Sequence, residues 1–182
     1  MEPRQTPLYL GMALFIVSET FLFGSLFWTY FYLRAKTLVW PPEGVHLEVA
    51  LMSANTLILL ASSATMERAL ASIKRGDKGG LVRALSATIL LGSAFLAIKA
   101  FDWFTAPFRP WDHAYGSIYF TLTGFHAIHL LIGMLVLGAL LFRARRGLFS
   151  PGRCLPLEVG GLYWHFVDGV WVFVFLSLFV GR

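Results

Sequence analysis

The sequence predicts an all-α integral membrane bundle of five transmembrane helices, with the N-terminus cytoplasmic and the C-terminus outside. Three observations carry this expectation. Of 182 residues, 57% are hydrophobic and 14% charged, and a mean hydropathy of +0.68 lies well outside the range of a water-soluble domain. The apolar residues gather into five stretches, each close to or above the roughly 20 residues that cross a bilayer as helix. Lys and Arg concentrate in alternate connections, as the positive-inside rule requires of a chain that weaves back and forth.

The first span, 8–33, is too long for the core of a signal peptide, and no small-residue cleavage pattern follows it. Beyond it, Trp40-Pro41-Pro42-Glu43-Gly44 cannot continue a helix and makes a rigid outer turn. Span two, 48–66, carries Ser53, Asn55, Ser62 and Ser63, small or polar side chains that read as helix-contact residues. Span three covers 81–101. Spans one and four, the latter at 115–142, exceed a hydrocarbon core of about 30 Å at about 1.5 Å per residue, so they tilt or protrude. Span five covers 157–180. The connections are short, which leaves a single membrane domain over 1–182 and no separate soluble domain.

Orientation follows from the loop cations. One side collects Arg4, Arg68, Lys74, Arg75, Lys78, Arg83, Arg143, Arg145, Arg146 and Arg153, and the other Arg34, Lys36, Lys99, Arg109 and Arg182. The richer side is assigned to the cytoplasm. Trp28, Tyr30, Tyr32, Trp40, Trp103, Trp111 and Tyr115 crowd the opposite interface, where amphipathic rings are stable. A formal charge of +5 therefore marks topology and lipid contact, and no nucleic-acid partner is expected. The lone Cys154 excludes an internal disulfide and a multi-cysteine metal site. No internal repeat points to an inverted-repeat transporter.

An ionisable side chain inside hydrocarbon costs several kcal/mol, so each one needs a partner or a role. Glu19 in span one, His126 and His129 in span four, and His165 and Asp168 in span five fall at comparable depths. His126 and His129 are three apart, with Tyr119, Thr123 and Gly133 on the same stripe; His165 and Asp168 are also three apart, with Glu158 two turns earlier. The simplest packing turns the two stripes together into an interior polar seam, in which imidazole N–H groups and hydroxyls satisfy the carboxyl.

Haem or metal ligation competes with the seam. It lacks support because the chain has five histidines, of which His46 and His113 lie in outer loops. Glu19 has no basic residue of its own span within a turn. It is either a carboxyl bonded to Ser18 or to a neighbouring helix, or a group that handles protons or meets lipid. Lys99 and Asp102 are three apart and can pair on one face, although snorkelling of Lys99 to the interface is the expected outcome.

Several of these residues sit in longer motifs. Gly11-Met12-Ala13-Leu14-Phe15-Ile16-Val17-Ser18-Glu19, Trp40-Pro41-Pro42, Leu47-Glu48-Val49, Asn55-Thr56 followed by Leu59-Leu60-Ala61-Ser62, Tyr115-Gly116-Ser117, Thr123-Gly124-Phe125-His126 with His129 and Gly133, and Tyr163-Trp164-His165-Phe166-Val167-Asp168 with Val170-Trp171 occur in that order. Together they resemble subunit III of haem-copper terminal oxidases, from about Gly11 to the C-terminus.

The resemblance implies a non-catalytic integral subunit of a proton-pumping oxidase in aerobic respiration, docked on the catalytic subunit I beside other oxidase subunits. It implies no cofactor in this chain, with haem and copper in partner subunits, and phospholipid bound in a cleft. The subunit would stabilise its catalytic neighbour and support proton uptake. Glu19 matches the family's carbodiimide-reactive intramembrane glutamate, and His126, His129, His165, Asp168 and Glu158 match positions in the polar interior of the bundle. Many relatives have seven spans, and counterparts of the two that precede span one are not found here, which weakens the lipid assignment. Gly169 stands where valine is common, and Lys99 where an uncharged residue is common. The Trp-Pro-Pro and Tyr-Trp-His wording leans towards cytochrome c oxidases over quinol oxidases, and the membrane expected is the bacterial cytoplasmic one rather than the inner mitochondrial one. The alternative class is a stand-alone transporter with a proton relay through Glu19 and Asp168.

Overall fold

A computed structural model describes residues 6–45 and 47–181. Arg4, His46 and Arg182, used above for charge and loop placement, lie outside the described residues. Five helices follow in order: α1 (Thr6–Lys36), α2 (Val49–Lys74), α3 (Lys78–Thr105), α4 (Ala114–Arg145) and α5 (Leu155–Phe175), the last continued by a π-helical turn at Leu176–Val180. Among the described residues there is no strand. All five helices are long and apolar enough to cross a membrane, as the composition predicts.

The helices outrun the apolar stretches. Span two ends at 66 by hydropathy, whereas α2 continues to Lys74; α3 passes 101 to reach Thr105; and α4 reaches Arg145. Charged residues at these ends stay helical because backbone bonding continues past the hydrocarbon boundary while the side chains reach water or a partner.

The turns are built from local chemistry. The chain leaves α2 through Gly76 at φ +79°, a left-handed position that suits glycine at a helix end. Asp77 then caps α3, its carboxylate accepting from the Gly80 N–H at 2.7 Å. With only Arg75–Asp77 between them, α2 and α3 form a tight antiparallel hairpin. His113 caps α4 in the same way, its Nδ1 accepting from the Gly116 N–H at 2.8 Å.

Helix α2 packs on α3, α3 on α4, α4 on α5, and α5 back on α2, closing a four-helix bundle. Helix α1 lies outside that ring against α4 and α5. Its apolar centre is 6% buried, against 50% for α5. At the middle of the ring sits Trp164, fully buried. A Cβ on Gly92 would come within 2.9 Å of its ring, and one on Gly133 within 3.1 Å, so α3 and α4 each present bare backbone to it. Small residues at crossings are the membrane solution to close helix approach. The indole N–H groups are satisfied across the ring, Trp164 by Ser62 Oγ at 3.1 Å and Trp171 by Thr56 Oγ1 at 3.0 Å. Asn55 donates to the Phe95 carbonyl on α3 at 3.2 Å.

Candidate functional site

The polar residues singled out from the sequence occupy separate places. Glu19 on α1 meets His129 on α4, Oε2 to Nε2 at 2.8 Å. The opposite ring nitrogen, Nδ1, lies 2.7 Å from the Phe125 carbonyl. A carbonyl only accepts, so Nδ1 carries a hydrogen and the network fixes the ring. The Glu19 oxygen and Nε2 then share one further proton, as carboxyl with neutral imidazole or as carboxylate with imidazolium. Both side chains are nearly buried, at 14% and 11% exposure. Phe23 meets the imidazole edge-on at 5.0 Å, and the Tyr163 hydroxyl donates to the His129 carbonyl at 3.0 Å. Ser18, considered above as a partner of Glu19, bonds back to the Phe15 carbonyl.

His165 does not face the histidines of α4. It contacts α2, with Nδ1 2.6 Å from Ser63 Oγ and Nε2 2.7 Å from Glu67 Oε1. Asp168, one turn on, is 3% exposed, and neither carboxyl oxygen makes a hydrogen bond of ordinary geometry among the described residues. His126 is 1% exposed, its ring 4.9 Å from Trp171 and 5.8 Å from Phe95, and its nitrogens likewise make no hydrogen bond of ordinary geometry among the described residues. Glu158 sits at the basic end of the bundle, where the Tyr9 hydroxyl donates to it and Lys74 Nζ lies 3.3 Å away. Beside it, just outside α5, burial and then the Glu158 charge raise the pKa of the Cys154 thiol.

The single seam drawn from the sequence is therefore divided. Helix α5 is enclosed by α2, α4 and α1, so residues three apart on it, about 60° around the axis, face different neighbours. Of the predicted set, the structure joins Glu19 to His129 alone.

A further cluster forms around Lys99 and Asp102, the pair that the i, i+3 spacing allows. Lys99 is buried and donates from Nζ to Asp102 Oδ2 at 2.7 Å and to Tyr119 Oη at 2.8 Å. Tyr119 in turn donates its hydroxyl proton to Asp102. The rings of Tyr119, Phe179 and Trp171 stand 4.6, 5.3 and 5.7 Å from the ammonium. Snorkelling, the outcome expected for Lys99, is thus overturned: a carboxylate one turn away and an aromatic cage hold the cation inside. The visible signal was the i, i+3 spacing of Lys99 and Asp102. Without Lys99 the loop charge of its side falls further below that of the other.

Among the described residues no group of three His, Cys, Asp or Glu side chains could hold a metal ion. The model of the family "Cytochrome c oxidase subunit III" matches residues 2–181. The chain belongs to that family. It is similar to the cytochrome c oxidase subunit 3 of Sus scrofa, 39% identical over 96% of this chain and 70% of that protein. The subunit 3 of Gallus gallus is 40% identical with the same coverages, and that of Aedes aegypti 39% identical over 93% and 67%. A subunit III chain is part of a haem-copper oxidase complex and sits beside other oxidase subunits, in keeping with five helices suited to a membrane. Within such a chain, the Glu19–His129 pair is the candidate functional site. It bridges the outlying helix α1 to the ring through one largely buried carboxyl–imidazole contact.

Proposed function

We propose that this chain is a cofactor-free subunit of a proton-pumping cytochrome c oxidase, stabilising the catalytic subunit I, supporting its proton uptake and binding phospholipid, with haem and copper held by its partners. The basic side of the bundle, with the α2–α3 turn and the α4–α5 connection, would face the cytoplasm of a bacterial cell. The observation that carries this reading is the 2.8 Å contact between Glu19 Oε2 and His129 Nε2, at the junction of α1 with the ring. For lipid, the support is an apolar groove of about 380 Å³ between α1 and α5, lined by Phe23, Gly24, Phe27, Gly169 and Phe173, whose walls suit an acyl chain.

Two measurements test the reading. Native mass spectrometry of the complex isolated through this chain should recover haem-bearing subunits and phospholipid, whereas the separated chain should show no haem absorption. Stoichiometric haem on the separated chain would refute a cofactor-free role. In the assembled oxidase, Glu19→Gln should lower turnover or shorten the active lifetime at unchanged haem content; wild-type behaviour would reduce Glu19 to packing.

A further inference from the structure

At the end of the bundle away from the basic turns, three oxidisable rings stand in a row. Trp40, half-buried in the connection between α1 and α2, has its ring centroid 5.1 Å from that of Tyr115. Tyr115 stacks on Tyr119, one turn further along α4, at 6.2 Å and with ring planes 24° apart. Both tyrosines are fully buried, and Phe108 packs edge-on against each of them at 5.9 and 5.3 Å. Indole and phenol rank with thiols as the side chains that give up one electron most readily, and rings this close pass an electron from one to the next without a metal.

A phenol that gives up an electron must also lose its proton, or it takes the electron back. The Tyr115 hydroxyl donates to the Leu178 carbonyl at 3.1 Å, and a carbonyl accepts a hydrogen bond without taking up the proton. Tyr119 has a base at hand: its hydroxyl donates to Asp102, and its oxygen accepts from Lys99 Nζ at 2.8 Å. Asp102 also lines a cavity of about 590 Å³ whose other walls include the exposed Glu48 and Thr105. A proton received by Asp102 therefore has a way out that is separate from the electron's.

We propose that Trp40, Tyr115 and Tyr119 form a one-electron oxidation path that traps peroxyl radicals of membrane lipid and ends in a tyrosyl radical on Tyr119. A lipid peroxyl radical at the interface takes one electron from the Trp40 indole and one proton from water, giving a lipid hydroperoxide. Oxidised Trp40 is refilled from Tyr115, and Tyr115 from Tyr119. There the phenolic O–H bond breaks, the proton goes to Asp102 Oδ2, and a neutral phenoxyl radical remains. Asp102 returns the proton to water through the cavity. In sum, one peroxyl radical and one phenol become one hydroperoxide and one phenoxyl radical, with no change in charge. The path lies within this chain and operates whether or not Glu19 takes part in proton uptake by the complex.

The test uses the intact oxidase complex in phosphatidylcholine vesicles. A lipid-soluble azo initiator generates peroxyl radicals in air, and electron paramagnetic resonance of freeze-quenched samples is the readout. Wild type should give a tyrosyl signal that narrows when the protein carries ring-deuterated tyrosine, and Tyr119→Phe should remove it. Trp40→Phe and Tyr115→Phe, which keep a ring that is not readily oxidised, should suppress it. Asp102→Asn, which takes away the proton acceptor, should lose it as well. Tyr32→Phe, at a residue 54% exposed and outside the row, should leave it unchanged, which separates the path from oxidation of any accessible tyrosine. A signal of wild-type size in Tyr119→Phe would overturn the proposal. So would equal signals in wild type, Trp40→Phe and Tyr115→Phe, or no tyrosyl signal at all. If Asp102→Asn fails to assemble because Lys99 is stranded, Tyr119→Phe and Trp40→Phe decide, since Tyr119→Phe keeps the ring in the core and Trp40 lies in a connection outside the helices.

Discussion

Lys99 Nζ lies 2.7 Å from Asp102 Oδ2 in a site that leaves the lysine side chain 1% and the aspartate 8% exposed. The pair sits one turn apart on α3, and the Tyr119 hydroxyl of α4 bridges both members. Phe179 and Trp171 close the aromatic wall from α5 and its π-helical turn. Three elements are therefore fixed against one another by a single buried charge pair. Such a pair is weak evidence for net stability, because desolvation offsets most of its attraction, but it is costly to break from one side.

Lys99→Met should destabilise the chain by about 3–5 kcal/mol, because Asp102 and Tyr119 are left in an apolar cage without their cation. The double change Lys99→Met with Asp102→Leu should recover most of that loss, since apolar replacement of both partners removes the stranded charge. Thermal denaturation of the detergent-solubilised complex, followed by retention of this chain, reads both. Additive losses in the double variant would show that the two groups do not act as a pair.

Gly92 and Gly138 offer a contrast in helix packing. A methyl group on Gly92 meets the Trp164 ring at 2.9 Å, whereas one on Gly138 meets nothing within 4 Å. Gly92→Ala should cost about 1–3 kcal/mol by overpacking, and Gly138→Ala should be neutral or slightly stabilising through helix propensity. The melting temperatures of the two variants check the sign at each position. Equal behaviour would mean that Trp164 is not wedged between α3 and α4.

Much of the scaffold was legible in the sequence because hydropathy is a one-dimensional property. Five apolar stretches gave five helices, and Pro41-Pro42 marked a connection that is indeed non-helical. The partners of polar residues were less legible. Glu67, which contacts His165, lies one residue beyond the hydropathy boundary of span two at 66, although α2 runs on to Lys74. Spacing predicts polar stripes on α4 and α5, but it fixes which residues share a helix face and not which neighbour that face meets. Glu19 was recognised as a residue needing a partner; that the partner would be His129 depended on α1 lying outside the ring, which no periodicity reveals. For Lys99 the general habit of long cations predicts snorkelling, whereas its aromatic cage is assembled from residues distant in sequence, Tyr119, Trp171 and Phe179.

The outlying position of α1 gives the Glu19–His129 contact a mechanical role that can be separated from its proton chemistry. With little of its apolar surface buried, α1 is held by polar contacts at three depths. Tyr9 donates to Glu158 at the basic end, Glu19 meets His129 near mid-depth, and at the far end Tyr30 donates to the Ser177 carbonyl at 2.5 Å and Arg34 to that of Gly181. Glu19→Gln keeps a group able to hydrogen-bond His129 Nε2, so α1 should stay attached. Glu19→Leu strands that nitrogen in low dielectric, at a cost of about 1–3 kcal/mol, and should loosen the middle of the helix. Amide hydrogen exchange along α1 is the direct reading, because protection there falls with the free energy of local opening. Glu19→Leu should raise exchange around Phe15–Phe23, and adding Tyr30→Phe should extend the loss towards Lys36, while Glu19→Gln should match wild type. Undiminished protection in the Glu19→Leu, Tyr30→Phe double variant would mean that apolar packing against α4 and α5 holds the helix by itself, and that the polar contacts serve chemistry alone.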